Sequence, residues 1–451
     1  MLNTTSSRQR RRTVLACSAG MLLLGGLCGL LVSLPADAIP AYARQTGSAC
    51  ADCHAGAYGP ALTPYGMRFK LNGYTDTDGQ GLKIPLAAQL IGTHAVPERG
   101  DSSTRLTEAD IFIAGRLNDH FGGFAKVETD NDGHNNYNTK LSNLDLRFVA
   151  KDLNLGKKDA MFGVSVNNSP GFQDAIGALP NAASLGPPAV SGTLLNPSSA
   201  HALANRVLGA TAYGFYDAQW YAELGTYSSM QPSVQDDLGY NPNGDPGKLS
   251  GTSYLRLAWM KDLKRQFVSI GIVTLDTTRK LPRSAAGDDI TDLGYDLTYQ
   301  FLGNREHIAQ ISYVNIYEKR QYGSTPVVGA LSGLPHGSAR DRTLSLTYTF
   351  RQSYGVNWVH LVSTGSHDPV RYPPFGNPDT TSDLYSLFWA PFGKDDSWTT
   401  KANLKIAATW FRFSKFNGRS SNIFGVPPGS TSPVTNAHDL DQFSLIVSLA
   451  F

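Results

Sequence analysis

Five consecutive residues carry the strongest chemical signal in the chain: Cys50-Ala51-Asp52-Cys53-His54. Two thiols separated by two residues, with an imidazole directly after the second, form the C-x-x-C-H pattern of c-type haem attachment. The spacing follows from the chemistry, because the thiols form thioethers to the two haem vinyl groups while the adjacent imidazole reaches the iron. A C-x-x-C pair alone also suits thioredoxin-like redox work, but that reading needs a βαβ context, which is missing here. Zinc would require two further cysteines or a histidine pair at ligand spacing, and neither follows. The pattern therefore calls for one covalently held haem c on Cys50 and Cys53, with His54 as the proximal iron ligand. For the other axial position His94 is the expected ligand, giving His/His coordination, and Met67, thirteen residues after His54, is the alternative. Arg44, Arg68 and Lys70 are the candidate partners for the haem propionates.

These residues need elements to position them, and the segment 39–83 that contains them is too short to enclose a macrocycle alone. Ahead of it, Arg8, Arg10, Arg11 and Arg12 precede an apolar run from Val14 to Leu34 and a small-residue Ala36-Asp37-Ala38 site, the layout of a cleaved secretory signal over 1–38. Its removal takes away four arginines and one aspartate, so 39 basic and 37 acidic residues become 35 and 36, and the net charge passes from +2 to −1. With no basic excess left, nucleic acid is excluded as a partner. Cys17 and Cys28 belong to the signal as well, so only Cys50 and Cys53 remain and a disulfide framework is excluded. At 17% charged residues and 45 glycines in 451, the composition disfavours both a disordered chain and an ordinary cytosolic enzyme.

From Ile84 onward the hydrophobic period is two. Leu293, Tyr295, Leu297, Tyr299 and Phe301 alternate with Gly294, Asp296, Thr298 and Gln300, the apolar-out, polar-in dyad of a lipid-facing strand. Sixteen such stretches run from 84–96 and 106–118 to 397–416 and 438–451. Short connections near 118–121, 152–158, 262–264, 303–305, 351–353 and 392–396 alternate with long ones near 169–205, 230–250, 320–339, 365–380 and 417–437. The long ones are rich in Pro, Gly, Ser and Asn, as surface loops are. The expected fold is all-β: a 16-stranded antiparallel outer-membrane barrel over 84–451, with the haem segment 39–83 plugging or capping its lumen. Its partner on the outside is outer-membrane lipid, met by aromatics such as Trp259, Trp358, Phe388, Trp389, Trp410 and Phe411. An even strand number places both barrel ends in the periplasm.

The run Ala41-Tyr42-Ala43-Arg44-Gln45-Thr46-Gly47 leading into the cysteine motif, then Pro60-Ala61-Leu62, Tyr65-Gly66, Phe69-Lys70 and Gly73-Tyr74-Thr75, resembles the fused outer-membrane cytochrome–porins. That family includes the Fe(II)-oxidising cytochromes of iron bacteria. The resemblance is specific over about 40–75 and elsewhere covers architecture and strand number. It implies oxidation of extracellular Fe(II), or of another external donor, with the electron handed to a periplasmic c-type cytochrome: an iron:cytochrome c oxidoreductase, if the chain is an enzyme. The family's F-G-R-x-F-K run stands here as Tyr65-Gly66-Met67-Arg68-Phe69-Lys70, with the arginine displaced by one place. The competing expectation is a porin for solute or iron uptake in which the haem segment serves as plug or sensor. Two acidic stretches, Asp76-Thr77-Asp78-Gly79 and Asp130-Asn131-Asp132-Gly133-His134, read as turns; the second, with Glu128 before it, also offers oxygen and imidazole ligands to Fe(II).

Overall fold

A computed structural model describes residues 39–81, 83–131, 136–180, 188–199, 202–240, 245–394, 398 and 400–451; the signal segment, Asp132 and His134 lie outside them. The alternating sequence closes into one antiparallel barrel of sixteen strands. In chain order these are β1 (Leu86–Pro97), β2 (Ser103–Arg116), β3 (Phe121–Asn131), β4 (Tyr137–Leu155), β5 (Lys158–Asn167), β6 (Val207–Tyr216), β7 (Trp220–Ser229) and β8 (Lys248–Asp262). They continue as β9 (Gln266–Lys280), β10 (Asp288–Phe301), β11 (His307–Gln321), β12 (His336–Phe350), β13 (Tyr354–Gly365), β14 (Thr380–Trp389), β15 (Asn403–Lys415) and β16 (Gln442–Ala450). Each strand pairs with its sequence neighbours, and β1 closes on β16 in a register running from Gln89 opposite Ala450 to Pro97 opposite Gln442. Closure leaves no unpaired edge, which is the condition for strands to cross hydrocarbon.

The parity of each strand sorts its side chains. Ile111, Ile113, Leu224, Ile270, Leu293 and Leu387 are exposed on the outside, while their sequence neighbours face the lumen. A closed barrel with this apolar exterior and short turns at one end is a bacterial outer-membrane protein. Trp389 and Trp410 lie outward as expected, but Phe388 and Phe411 do not. They occupy the opposite parity of β14 and β15, and the Phe388 ring reaches over Gly355 of β13, where a Cβ would stand 2.2 Å from it. Two strand ends also differ from expectation. β4 continues past 150 to Leu155 across a bulge, and β15 starts at Asn403 because Lys401 and Ala402 turn back to donate to the Trp398 carbonyl, each at 2.8 Å.

Two of the expected surface loops fold inward instead. In the connection between β5 and β6, the backbone N–H groups of Thr193, Leu194 and Leu195 donate to carboxylates of Asp341, Glu318 and Asp292 at 2.8, 2.6 and 3.1 Å. Those acids stand on the adjacent strands β12, β11 and β10, so three strands hold one loop by its main chain. Asp174 of the same loop pairs with Arg256 of β8, which also meets Asp296 of β10. In the last connection, Phe416, Ile423, Ala437 and Leu440 pack on the inward Leu361, Leu384, Phe411 and Phe413. Loop backbone is tolerated inside the barrel because the wall supplies its hydrogen-bond partners.

The N-terminal segment forms α1 (Pro40–Thr46), α2 (Cys50–Cys53) and α3 (Pro64–Leu71), seated in the barrel mouth bounded by the short turns. Replacing Asp292, Glu318 and Asp341 together by Ala leaves three buried N–H donors without acceptors, at about 1–3 kcal/mol each. The variant is expected to keep the barrel yet admit protease cleavage within 168–206, read by limited proteolysis.

Candidate functional site

Local chemistry shapes the motif first. Pro40 and Pro64 open α1 and α3, where a missing N–H costs nothing, and Gly47 ends α1 in the left-handed region at φ 71°. The Asp52 carboxylate accepts from the Ala49 N–H at 3.1 Å and so caps α2. Thr63 donates its N–H to the Cys53 carbonyl at 2.9 Å, donates its hydroxyl to the Asp52 carbonyl, and accepts from the Gly66 N–H at 3.3 Å. These bonds press α3 against α2. A Cβ on Gly66 would lie 2.2 Å from the Cys53 carbonyl oxygen, so only glycine fits.

Wall side chains then fix the segment from all round. Arg305 Nη1 donates to the Ala51 carbonyl at 3.0 Å, Gln300 Nε2 to the Leu62 carbonyl at 2.7 Å, and Asn403 Nδ2 to the Ala57 carbonyl at 2.9 Å. Across the mouth, Tyr213 donates to the Leu71 carbonyl and Tyr74 to Asp145, both at 2.7 Å. Tyr42 stacks on Tyr74 with centroids 5.5 Å apart and meets Phe69 edge-on at 4.9 Å. The motif is thereby held by β4, β6, β10 and β15 and by the turn that contains Arg305.

Behind the motif lies a cavity of about 340 Å³, within the range of small-molecule and cofactor sites. Cys50, Cys53 and His54 line it from the segment side, and hydroxyls such as Ser312, Thr347 and Ser386 from strands β11, β12 and β14. Phe172 and Ala178 of the inward loop close its edge. Among the described lining residues there is no Asp or Glu, but there are two lysines, Lys70 and Lys405. Burial lowers His54 to about 4, with the Ala61 carbonyl opposing, so the imidazole is neutral at pH 7 and has a lone pair to offer. Its Nδ1 is buried and has no hydrogen-bond partner. Burial pushes the thiols of Cys50 and Cys53 up to about 12, which suppresses the thiolate a dithiol oxidoreductase would need. The donor set and the cavity's charge fit a covalently held macrocycle with anionic substituents.

The candidates named from sequence separate here. Lys70 reaches the cavity; burial lowers it to about 8, and its ammonium donates to the Phe172 carbonyl. Arg44 turns away, donating to the carbonyls of Thr400 and Leu86, and Arg68 is exposed. Neither is among the lining residues. His94, the expected axial ligand, sits on the outer face of β1 with Nδ1 2.7 Å from the Thr104 hydroxyl. It shares its parity with Leu90 and Val96, so it cannot face the lumen. Met67 is also displaced from the cavity: it is 2% exposed and packs against Leu71, Val149 and Met161. Lys405, Arg305 and Phe388 were not anticipated, since each acts on the segment from more than two hundred residues away.

No family model and no curated protein matches the chain. Among solved structures it is similar to the outer membrane channel DcaP of Acinetobacter baumannii, at 10% identity over 81% of this chain and 96% of that one, with a TM-score of 0.46. It is also similar to an anion-selective porin from Comamonas acidovorans, at 12% identity over 81% and 98%, TM-score 0.44. A third is OmpT of Vibrio cholerae, at 11% identity over 81% and 98%, TM-score 0.44. At these values the reading of the site rests on this chain's own residues.

A histidine buried neutral makes the segment acid-sensitive. Between its ordinary value of 6.5 and about 4 the unfolded chain binds a proton that folded His54 refuses, so stability falls as pH falls through that window. The protection of amides 39–83 in the haem-free chain, corrected for the intrinsic pH dependence of exchange, is expected to fall from pH 6.5 to 4, and His54→Asn to remove that loss.

Proposed function

We propose that this outer-membrane barrel carries one haem c in its mouth and works as an electron conduit, taking electrons from an external donor such as Fe(II) and delivering them to a periplasmic cytochrome. The observation that carries the reading is that Cys50, Cys53 and His54 line one cavity inside the barrel whose described lining residues include no carboxylate. Bound there, a haem c supplies a one-electron iron couple. The chain's part is to anchor the group through the two thiols, offer the His54 imidazole, and keep water and solutes away with the segment and the inward loop.

The wall on the donor side is electronegative. Phe172 and Phe124 of the cavity lining continue to Phe112, with centroids 5.2 and 5.7 Å apart. Lys126 lies over Phe112 and is ringed by Glu108, Asp110 and Glu128 at 3.3, 3.1 and 2.9 Å. Lys140 pairs with Glu128 and Asp130 at 3.0 and 2.7 Å. Among the described residues these pairs set four carboxylates against two ammoniums, a negative excess that favours a cationic donor over an anionic one.

The second reading, a solute channel, is favoured by the sixteen-strand porin architecture. Against it stand the occupied mouth and the latched loop. Expression of the full chain with haem-attachment machinery is expected to yield one covalent haem per protein by pyridine haemochrome and mass, lost in Cys50→Ala/Cys53→Ala. Mixing with Fe(II) in a stopped-flow spectrometer is expected to reduce that haem, and planar bilayers to show little current. Large steady currents with no haem would establish the channel instead.

A further inference from the structure

Resting on the haem reading, we propose that Lys405, on the barrel wall, is the counter-ion that holds a haem propionate and sets the potential of the iron. Lys405 is in the cavity lining, its Nζ 5.4 Å from the ring centre of Tyr58 and 5.1 Å from that of Phe388. Tyr58 is itself fixed by Gln89 of β1, whose Nε2 donates to its hydroxyl at 2.8 Å. Among the described residues Lys405 has no hydrogen bond and no carboxylate partner. Three other interior cations contrast with it: Arg147 has Asp145, Arg256 has Asp174 and Asp296, and Lys126 has three acids. Lys70, the other cavity lysine, has the Phe172 carbonyl and the nearby charge of Asp145.

An ammonium held inside a barrel without an anion is costly unless the occupant of the cavity supplies one. The two aromatic faces favour the charged form, as cation–π partners do. The complement of that charge is a carboxylate of the bound group.

The test compares the full-length wild-type protein with Lys405→Gln and Lys405→Arg. All three are expected to bind one covalent haem by pyridine haemochrome, with the same spin state in absorption spectra. Loss of the cation stabilises the ferric state, so Lys405→Gln is expected to lower the equilibrium constant for reduction about tenfold, which is ~59 mV for one electron, while Lys405→Arg stays near wild type. The propionate-bending band in the resonance Raman spectrum is expected to move in Lys405→Gln alone. A haem-loaded Lys405→Gln with unchanged potential and band overturns the assignment. So does a change of spin state in that variant, which would make Lys405 an iron ligand. Wild-type protein without haem would sink the underlying reading itself.

Discussion

A sheet closed on itself in a membrane gives every side chain one of two destinations, lipid or lumen, and a charge sent to the lumen must find its opposite there. This constraint organises the interior. Arg147 is met by Asp145 on its own strand and by the Gln173 carbonyl, and Arg256 bridges the inward loop to β10. The carboxylates of Asp292, Glu318 and Asp341 accept the main chain of the loop that crosses in front of them. Ion pairs of this kind add little net stability, because desolvation offsets attraction, but removing one member is expensive. Their effect is to fix which segment lies where.

The same economy explains how residues 39–83 can lie inside a barrel at all. A short segment brings unsatisfied carbonyls with it, and here Arg305, Gln300, Asn403 and Tyr213 accept that task. The fit leaves no slack. A Cβ on Gly393 would stand 2.2 Å from the Ala57 carbonyl oxygen, and one on Gly122 would stand 2.5 Å from that of Gly73. Segment and wall are therefore complementary at the level of backbone contact, and the cysteines, being in that segment, inherit its fixed position.

How much of this the sequence discloses depends on range. The strands were legible because alternation is local and repeated: all sixteen expected stretches correspond to strands. Parity was legible only where the apolar face was unambiguous. On β1, Leu90 and Val96 point outward while Ile91 points inward, so the pattern does not by itself assign His94, and the choice of it as a lumen ligand failed. Phe388 and Phe411 misled for the opposite reason, since large aromatic residues also serve inside. The cysteine motif was readable as five adjacent letters. Lys405 was not, because its meaning comes from Tyr58 and Phe388, which only closure of the barrel brings to it. The inward course of the loop between β5 and β6 was hidden in the same way, its acceptors lying on strands more than ninety residues away.

On the proposed reading the structure also orders the steps of assembly. Thioether formation needs both thiols accessible and reactive, whereas in the folded protein Cys50 is buried against Tyr58 and Ala390 and burial holds both thiols protonated. The Ala51 N–H is bonded to the Gly393 carbonyl at 2.9 Å, so the motif cannot swing out without breaking the contacts that seat it. Attachment must then precede docking, while the segment is still free in the periplasm. Docking in turn brings the loaded group to Lys405, a cation with aromatic neighbours and, among the described residues, no carboxylate partner. On that reading a barrel closed around a loaded segment would satisfy that charge, and one closed around an empty segment would not.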